Sequence, residues 1–110
     1  MRRPRATMRE SRQYPRVAVR VSAWCETPGW TLRAAIVDAS EGGLRLHRCP
    51  AQPVGAQLKL SFRDESGVTI VARTEVVWSS DGRQPENGLR LLEVHEGEQA
   101  FVSLLAAHRR

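Results

Sequence analysis

The sequence predicts an all-β domain that closes with a helix. Three observations carry this: short runs in which apolar and polar residues alternate, turn-forming residues between them, and a final segment whose apolar residues recur at helical spacing. At 110 residues the chain is long enough for one domain with one core. Several short strands with regular turn signals point to a barrel or a sandwich.

The first strand is expected over Val17 to Cys25, where Val17, Val19, Val21 and Ala23 alternate with Ala18, Arg20 and Ser22. Thr27-Pro28-Gly29 supplies a turn, and Trp30 to Val37, rich in strand-favouring residues, forms the second strand. Asp38 to Gly43 reads as the next turn. In the third strand, Leu44 and Leu46 alternate with Arg45 and His47, giving one buried and one wet face. Cys49 to Gly55 breaks regular structure. A fourth strand follows, with Leu58, Leu60 and Phe62 against Lys59, Ser61 and Arg63, and Asp64 to Gly67 turns the chain. Val68, Ile70, Ala72, Thr74, Val76 and Trp78 share one parity of a long fifth strand. Ser80 through Asn87-Gly88 reads as a loop, and Leu89 to Val94 as the sixth strand. Phe101, Leu104 and Leu105 then lie three and four apart, with Glu96 and Glu98 before them and Arg109 and Arg110 after, a charge order that complements a helix dipole.

The formal charge of +5 is not spread evenly. Residues 1–16 hold six arginines against Glu10, while the remainder balances ten arginines and Lys59 against eleven acids. A cationic arm on a neutral body suggests an anionic partner, with phosphate the leading candidate. A solvated tail in an arginine-rich chain gives the same composition. Residues 1–11 are expected to form a flexible basic arm, and 12–110 the folded domain. Met8 offers an alternative start that would retain Arg9, Arg12 and Arg16.

Two short motifs stand out. Arg12-Gln13-Tyr14-Pro15-Arg16 leads directly into the first strand, and Pro15 disfavours helix at Tyr14, so the segment is extended or turned. R-x-x-x-R also occurs at Arg5 to Arg9 and at Arg16 to Arg20, but Arg20 lies within the strand. The second motif, Asp38-Ala39-Ser40-Glu41-Gly42-Gly43, fits D-x-S-x-x-G between two predicted strands. As an ordinary turn, it would have Asp38 and Ser40 bonding to nearby backbone and its glycines at positive φ.

Together these motifs resemble the PilZ family, whose members carry an arginine arm before the first strand and a D/N-x-S-x-x-G turn. Pro53-Val54-Gly55 before a strand and Asn87-Gly88-Leu89-Arg90-Leu91 extend the likeness over most of the chain. The resemblance implies a six-stranded antiparallel β-barrel with a C-terminal α-helix, and a receptor for cyclic di-GMP. It further implies that Arg12, Arg16, Asp38, Ser40 and Gly43 bind the ligand, with Arg9 assisting. The chemistry suits that role. A carboxylate at Asp38 accepts the N1 and N2 hydrogens of guanine, and Ser40 bridges to phosphate, ribose or the loop. Gly42 or Gly43 lets the backbone approach closely. Arginine forks onto guanine O6 and N7 or onto phosphate. Ser11 stands where many members have a charged residue, which leaves one ligand or a stacked pair both open. The arm would order over the ligand and signal to a protein effector in a motility, secretion or polysaccharide-related system.

Two other readings remain: a PilZ-like adaptor that does not bind nucleotide, and a barrel for single-stranded nucleic acid. Few aromatics and a neutral barrel disfavour DNA or RNA. Trp24, Trp30 and Trp78 fall on predicted strands, where packing in the core or at a barrel end is the expectation and base stacking the alternative. Cys25 and Cys49, outside any C-x-x-C spacing, are expected to be reduced, and His47, His95 and His108 lack metal-ligand spacing. No metal, cofactor or catalytic residue is expected, because no nucleophile elbow, phosphate-cradling loop or acid and histidine cluster occurs. No apolar run reaches bilayer length and no secretory signal pattern follows the arginines, so no membrane insertion and a cytoplasmic location are expected.

Overall fold

A computed structural model describes residues 16–108. It contains strands β1 (Val17–Thr27), β2 (Trp30–Ala39), β3 (Gly43–His47), β4 (Gln57–Arg63), β5 (Thr69–Ser80) and β6 (Glu86–Glu96), followed by helix α1 (Glu98–Ala107). Every strand pairing is antiparallel, and the strands close into a barrel in the order β1-β2-β3-β6-β5-β4. The pairing of Trp24, Cys25 and Glu26 with Ser61, Leu60 and Lys59 joins the first strand to the fourth and closes the ring. Among the described residues no helix is long and apolar enough to cross a membrane.

The alternation read from the sequence points the apolar parity into the barrel. Val17, Val19, Ala23 and Cys25 of β1 meet Leu58, Leu60 and Phe62 of β4, Ile70 and Val76 of β5, and Leu44 and Leu46 of β3 in one core. Helix α1 closes that core with Phe101, Leu104 and Leu105, and the ring of Phe101 meets Phe62 edge to face with centroids 6.4 Å apart. Buried in this way, each such side chain stabilises the domain by roughly 1.5–3 kcal/mol. Cys25 and Cys49 are both buried free thiols, and the neighbouring Cys49 thiol together with burial pushes the Cys25 thiol upward.

Several boundaries differ from the sequence reading, each for an identifiable reason. Asp38 and Ala39 complete β2 instead of beginning a turn, because both pair across to β1 and β3. Glu86, Asn87 and Gly88, read as loop, open β6. Asn87 is fully buried and acts as a clamp: its Oδ1 accepts from the Gln52 backbone N–H at 2.8 Å, and its Nδ2 donates to the carbonyls of Cys49 and Pro50 at 3.1 and 3.2 Å. Glu96 ends β6, Gly97 starts the helix in the left-handed region, and Glu98 lies in the first helical turn. Arg109 and Arg110 lie outside the described residues.

The tryptophans do not all pack in the core or at a barrel end, as expected of them. Trp30 is half-buried against the core, but Trp24 and Trp78 are 50% and 41% exposed. Trp24 follows the outward parity of Arg20 and Ser22. Trp78 shares the inward parity of Val76, but a register shift between the two carries it to the outer wall.

Replacing Asn87 by Ala would strip the 49–52 segment of three hydrogen bonds and leave their backbone partners short of a partner. A loss of about 2–3 kcal/mol in chemical denaturation is expected. An unchanged midpoint would show that the clamp contributes nothing to the fold.

Candidate functional site

Two β-bulges build one face of the barrel wall. On β2, Ile36 pairs with Leu46 and Asp38 with Arg45, so Val37 is the extra residue. On β5, Val76 pairs with Leu89 and Trp78 with Gly88, so Val77 is the extra residue. A bulge reverses the inward and outward alternation beyond it. Asp38 and Trp78, which strict alternation would send inward with Ile36 and Val76, therefore face outward. The registers then align Ala18, Asp38, Arg45, Gly88 and Trp78 in a single row across β1, β2, β3, β6 and β5.

Charges interlock along this row. Arg45 Nε lies 2.9 Å from Asp38 Oδ2, Arg45 Nη1 lies 3.6 Å from Glu86 Oε1, and His47 Nε2 lies 3.0 Å from Glu86 Oε2. Arg16, at the foot of the arm, brings its Nη2 within 3.4 Å of Asp38 Oδ1. The Asp38 side chain is only 16% exposed. Close as these charges are, neither Asp38 Oδ1 nor Arg45 Nε completes a hydrogen bond among the described residues. A buried carboxylate oxygen without a donor is uncommon in a folded protein. Beside the row, a cleft of about 570 Å³ is lined by Ala18, Arg20, Val37, Arg45, His47 and His108.

Gly88 gives the row its flat end. A Cβ there would collide with the Trp78 indole, so the absent side chain lets the ring lie across β6 with much of its surface open.

The remaining motif residues, Ser40 and Gly43, are tied into the connection between β2 and β3. Ser40 is buried; its Oγ accepts from the backbone N–H groups of Gly42 and Gly43, each at 3.2 Å, while its own N–H donates to the Gly43 carbonyl at 2.8 Å. Of the partners foreseen for Ser40, the loop is the one it meets. Gly43 is also buried, and a Cβ on it would strike the Leu89 carbonyl, so its close approach is to β6. Neither Gly42 nor Gly43 takes positive φ.

Of the residues selected from sequence, Arg16 and Asp38 come together at the surface, while Ser40 and Gly43 support them from behind. Arg9 and Arg12 lie outside the described residues. Sequence reasoning did not single out Arg45, and it gave base stacking by Trp78 only as the alternative to packing. For Arg45 a signal existed, since its wet-face parity in β3 placed it opposite the end of β2. For Trp78 the signal was hidden by the bulge at Val77. Among the described residues no group of three or more His, Cys, Asp or Glu is arranged to hold a metal ion.

The comparisons agree with this architecture. No curated protein sequence matches the chain. Among solved structures, the inhibitor of motility MotI/DgrA from Bacillus subtilis superposes with a TM-score of 0.70 at 20% identity, over 86% of this chain and 48% of that one. The chain thus spans about half the length of that protein. The PilZ domain of YcgR from Escherichia coli, solved with c-di-GMP, superposes with a TM-score of 0.67 at 17% identity, over 89% of this chain and 91% of that one. At these identities the likeness establishes the fold. A family model, the PilZ domain, matches residues 10–107, nearly the whole chain, and with the barrel, the helix and the Asp38 motif in place, this protein belongs to the PilZ domain family.

Proposed function

We propose that this protein is a cytoplasmic receptor for cyclic di-GMP that passes ligand occupancy to a protein effector. The observation that carries the reading is the Asp38 carboxylate, held outward by the bulge at Val37, with Oδ1 lacking a hydrogen bond among the described residues and Arg16 3.4 Å away. A guanine edge supplies N1 and N2 hydrogens to such a carboxylate, and the guanidinium groups of Arg16 and Arg45 supply the opposite pattern for O6, N7 or phosphate. Trp78, lying across Gly88 at the end of the same row, offers an aromatic face to a purine. Ser40 and Gly43 act by holding the β2–β3 connection against β6.

In this reading Arg12, with Arg9 assisting, closes over the ligand from the arm while Arg16 anchors its base. Ordering the arm converts ligand concentration into a new surface. The YcgR domain, solved with c-di-GMP, supports the ligand class, and the motility inhibitor supports a role exercised on another protein.

Titration calorimetry with cyclic di-GMP, using GTP and single-stranded DNA as controls, tests the proposal. A charge-assisted hydrogen bond is worth roughly 1.5–3 kcal/mol, so Asp38→Ala should weaken binding about tenfold or more. Arg12→Ala with Arg16→Ala should abolish measurable heat, and Trp78→Ala should weaken binding while leaving the folded spectrum intact. Equal affinity in the native chain and the double arginine variant would remove the arm from the mechanism. Absence of any dinucleotide heat in the native chain would leave a PilZ-like adaptor without nucleotide, and tight DNA binding would favour the nucleic-acid barrel.

A further inference from the structure

We propose that the outer wall formed by β4, β1 and β2 is a second binding surface, for an acidic segment of a partner protein. Trp24 stands at its centre, 50% exposed, paired in register with Arg33 of β2 on one side and Ser61 of β4 on the other. The Arg33 guanidinium lies over its ring, 5.0 Å from the centroid. A cleft of about 740 Å³ opens beside it, where Arg20, Arg33 and Arg63 converge. No acidic side chain among the described residues lies within ion-pair distance of any of these three arginines. Other arginines on the barrel, at 45, 73 and 90, do have such partners.

Two acids reach the rim, but one is occupied. Asp64 Oδ1 accepts from the Ser66 and Val68 backbone N–H groups at 2.9 and 2.8 Å, binding its charge into the β4–β5 turn, and Glu65 remains. The balance of the cleft is therefore cationic around an exposed aromatic residue. Exposed tryptophan and arginine are the residue types that dominate the energetics of protein interfaces.

Charge complementarity selects an acidic occupant and excludes the arm of this chain, whose residues 1–15 carry five arginines against Glu10. A nucleic-acid strand fits less well than a peptide. Arg33 already covers a face of the lone tryptophan in the cleft, leaving no run of rings on which successive bases stack. The side chains of Trp24, Arg33 and Arg63 are the groups offered to the partner. Six residues of β1 separate Trp24 from Ala18 in the Asp38 row, roughly 20 Å at strand rise. The two surfaces meet at Arg20 and His108, which line the cleft beside each, whereas Trp24, Arg33 and Arg63 belong to this one alone.

The test is an NMR titration of the isotopically labelled full chain with a dodecapeptide of Asp-Glu-Leu repeats, alongside a Lys-Arg-Leu counterpart and a thymidine oligonucleotide. The acidic peptide should shift the Trp24 indole and its neighbours on β1, β2 and β4, and bind more weakly as salt rises. Trp24→Ala and the charge reversal Arg33→Glu with Arg63→Glu should each lower its affinity about tenfold or more, with cyclic di-GMP titrations unchanged. Both sets of positions are exposed, and the spectrum of each variant reports its folding directly. Undiminished affinity in the folded variants, shifts confined to the Arg16 and Arg45 region, no binding, or tighter binding of the oligonucleotide at Trp24 would each overturn the proposal.

Discussion

One extra residue in a strand governs the site. Without the bulge at Val37, Asp38 would follow Ile36 into the core, where an unpaired carboxylate is too costly to keep charged. With it, the carboxylate turns to the outer wall while Ala39 resumes the inward face. The bulge at Val77 does the same for Trp78. These two local defects in pairing place an acid, a guanidinium and an aromatic ring in one row on a wall whose inner side remains apolar.

Around that row the barrel divides its polar residues into two tasks. Ser40, Asn87 and Thr74 are buried and bonded to backbone, and they hold loops and strands in register. Arg16, Asp38 and Arg45 are partly exposed, and among the described residues Asp38 Oδ1 and Arg45 Nε complete no hydrogen bond. The D-x-S-x-x-G motif thus contains both kinds: its aspartate faces outward, whereas its serine and last glycine secure the connection behind it.

Much of this was legible in the sequence. Alternation in Val17 to Cys25, Leu44 to His47 and Leu58 to Arg63 correctly separated the inner from the outer wall, and the three and four spacing of Phe101, Leu104 and Leu105 correctly marked the closing helix. Arg16 and Asp38 meet because the arm enters β1 beside the end of β2, an outcome that strand order makes natural. The bulges were not legible, since alternation counts residues and a bulge changes the count without leaving a compositional mark. The beginning of β6 was hidden for a different reason: Asn87 and Gly88 are turn-forming types, and only tertiary contacts with Gln52 and Trp78 draw them into a strand.

The central claim is that guanine binds on the outer row, against the carboxylate that the Val37 bulge turns outward. Intermolecular nuclear Overhauser effects in the complex with cyclic di-GMP test it most directly. Contacts from guanine protons to the Trp78 indole and to the strand segments around Asp38 and Arg45 are predicted. Contacts located instead on the Trp24 wall, or at any site that leaves the row unperturbed, would contradict the account.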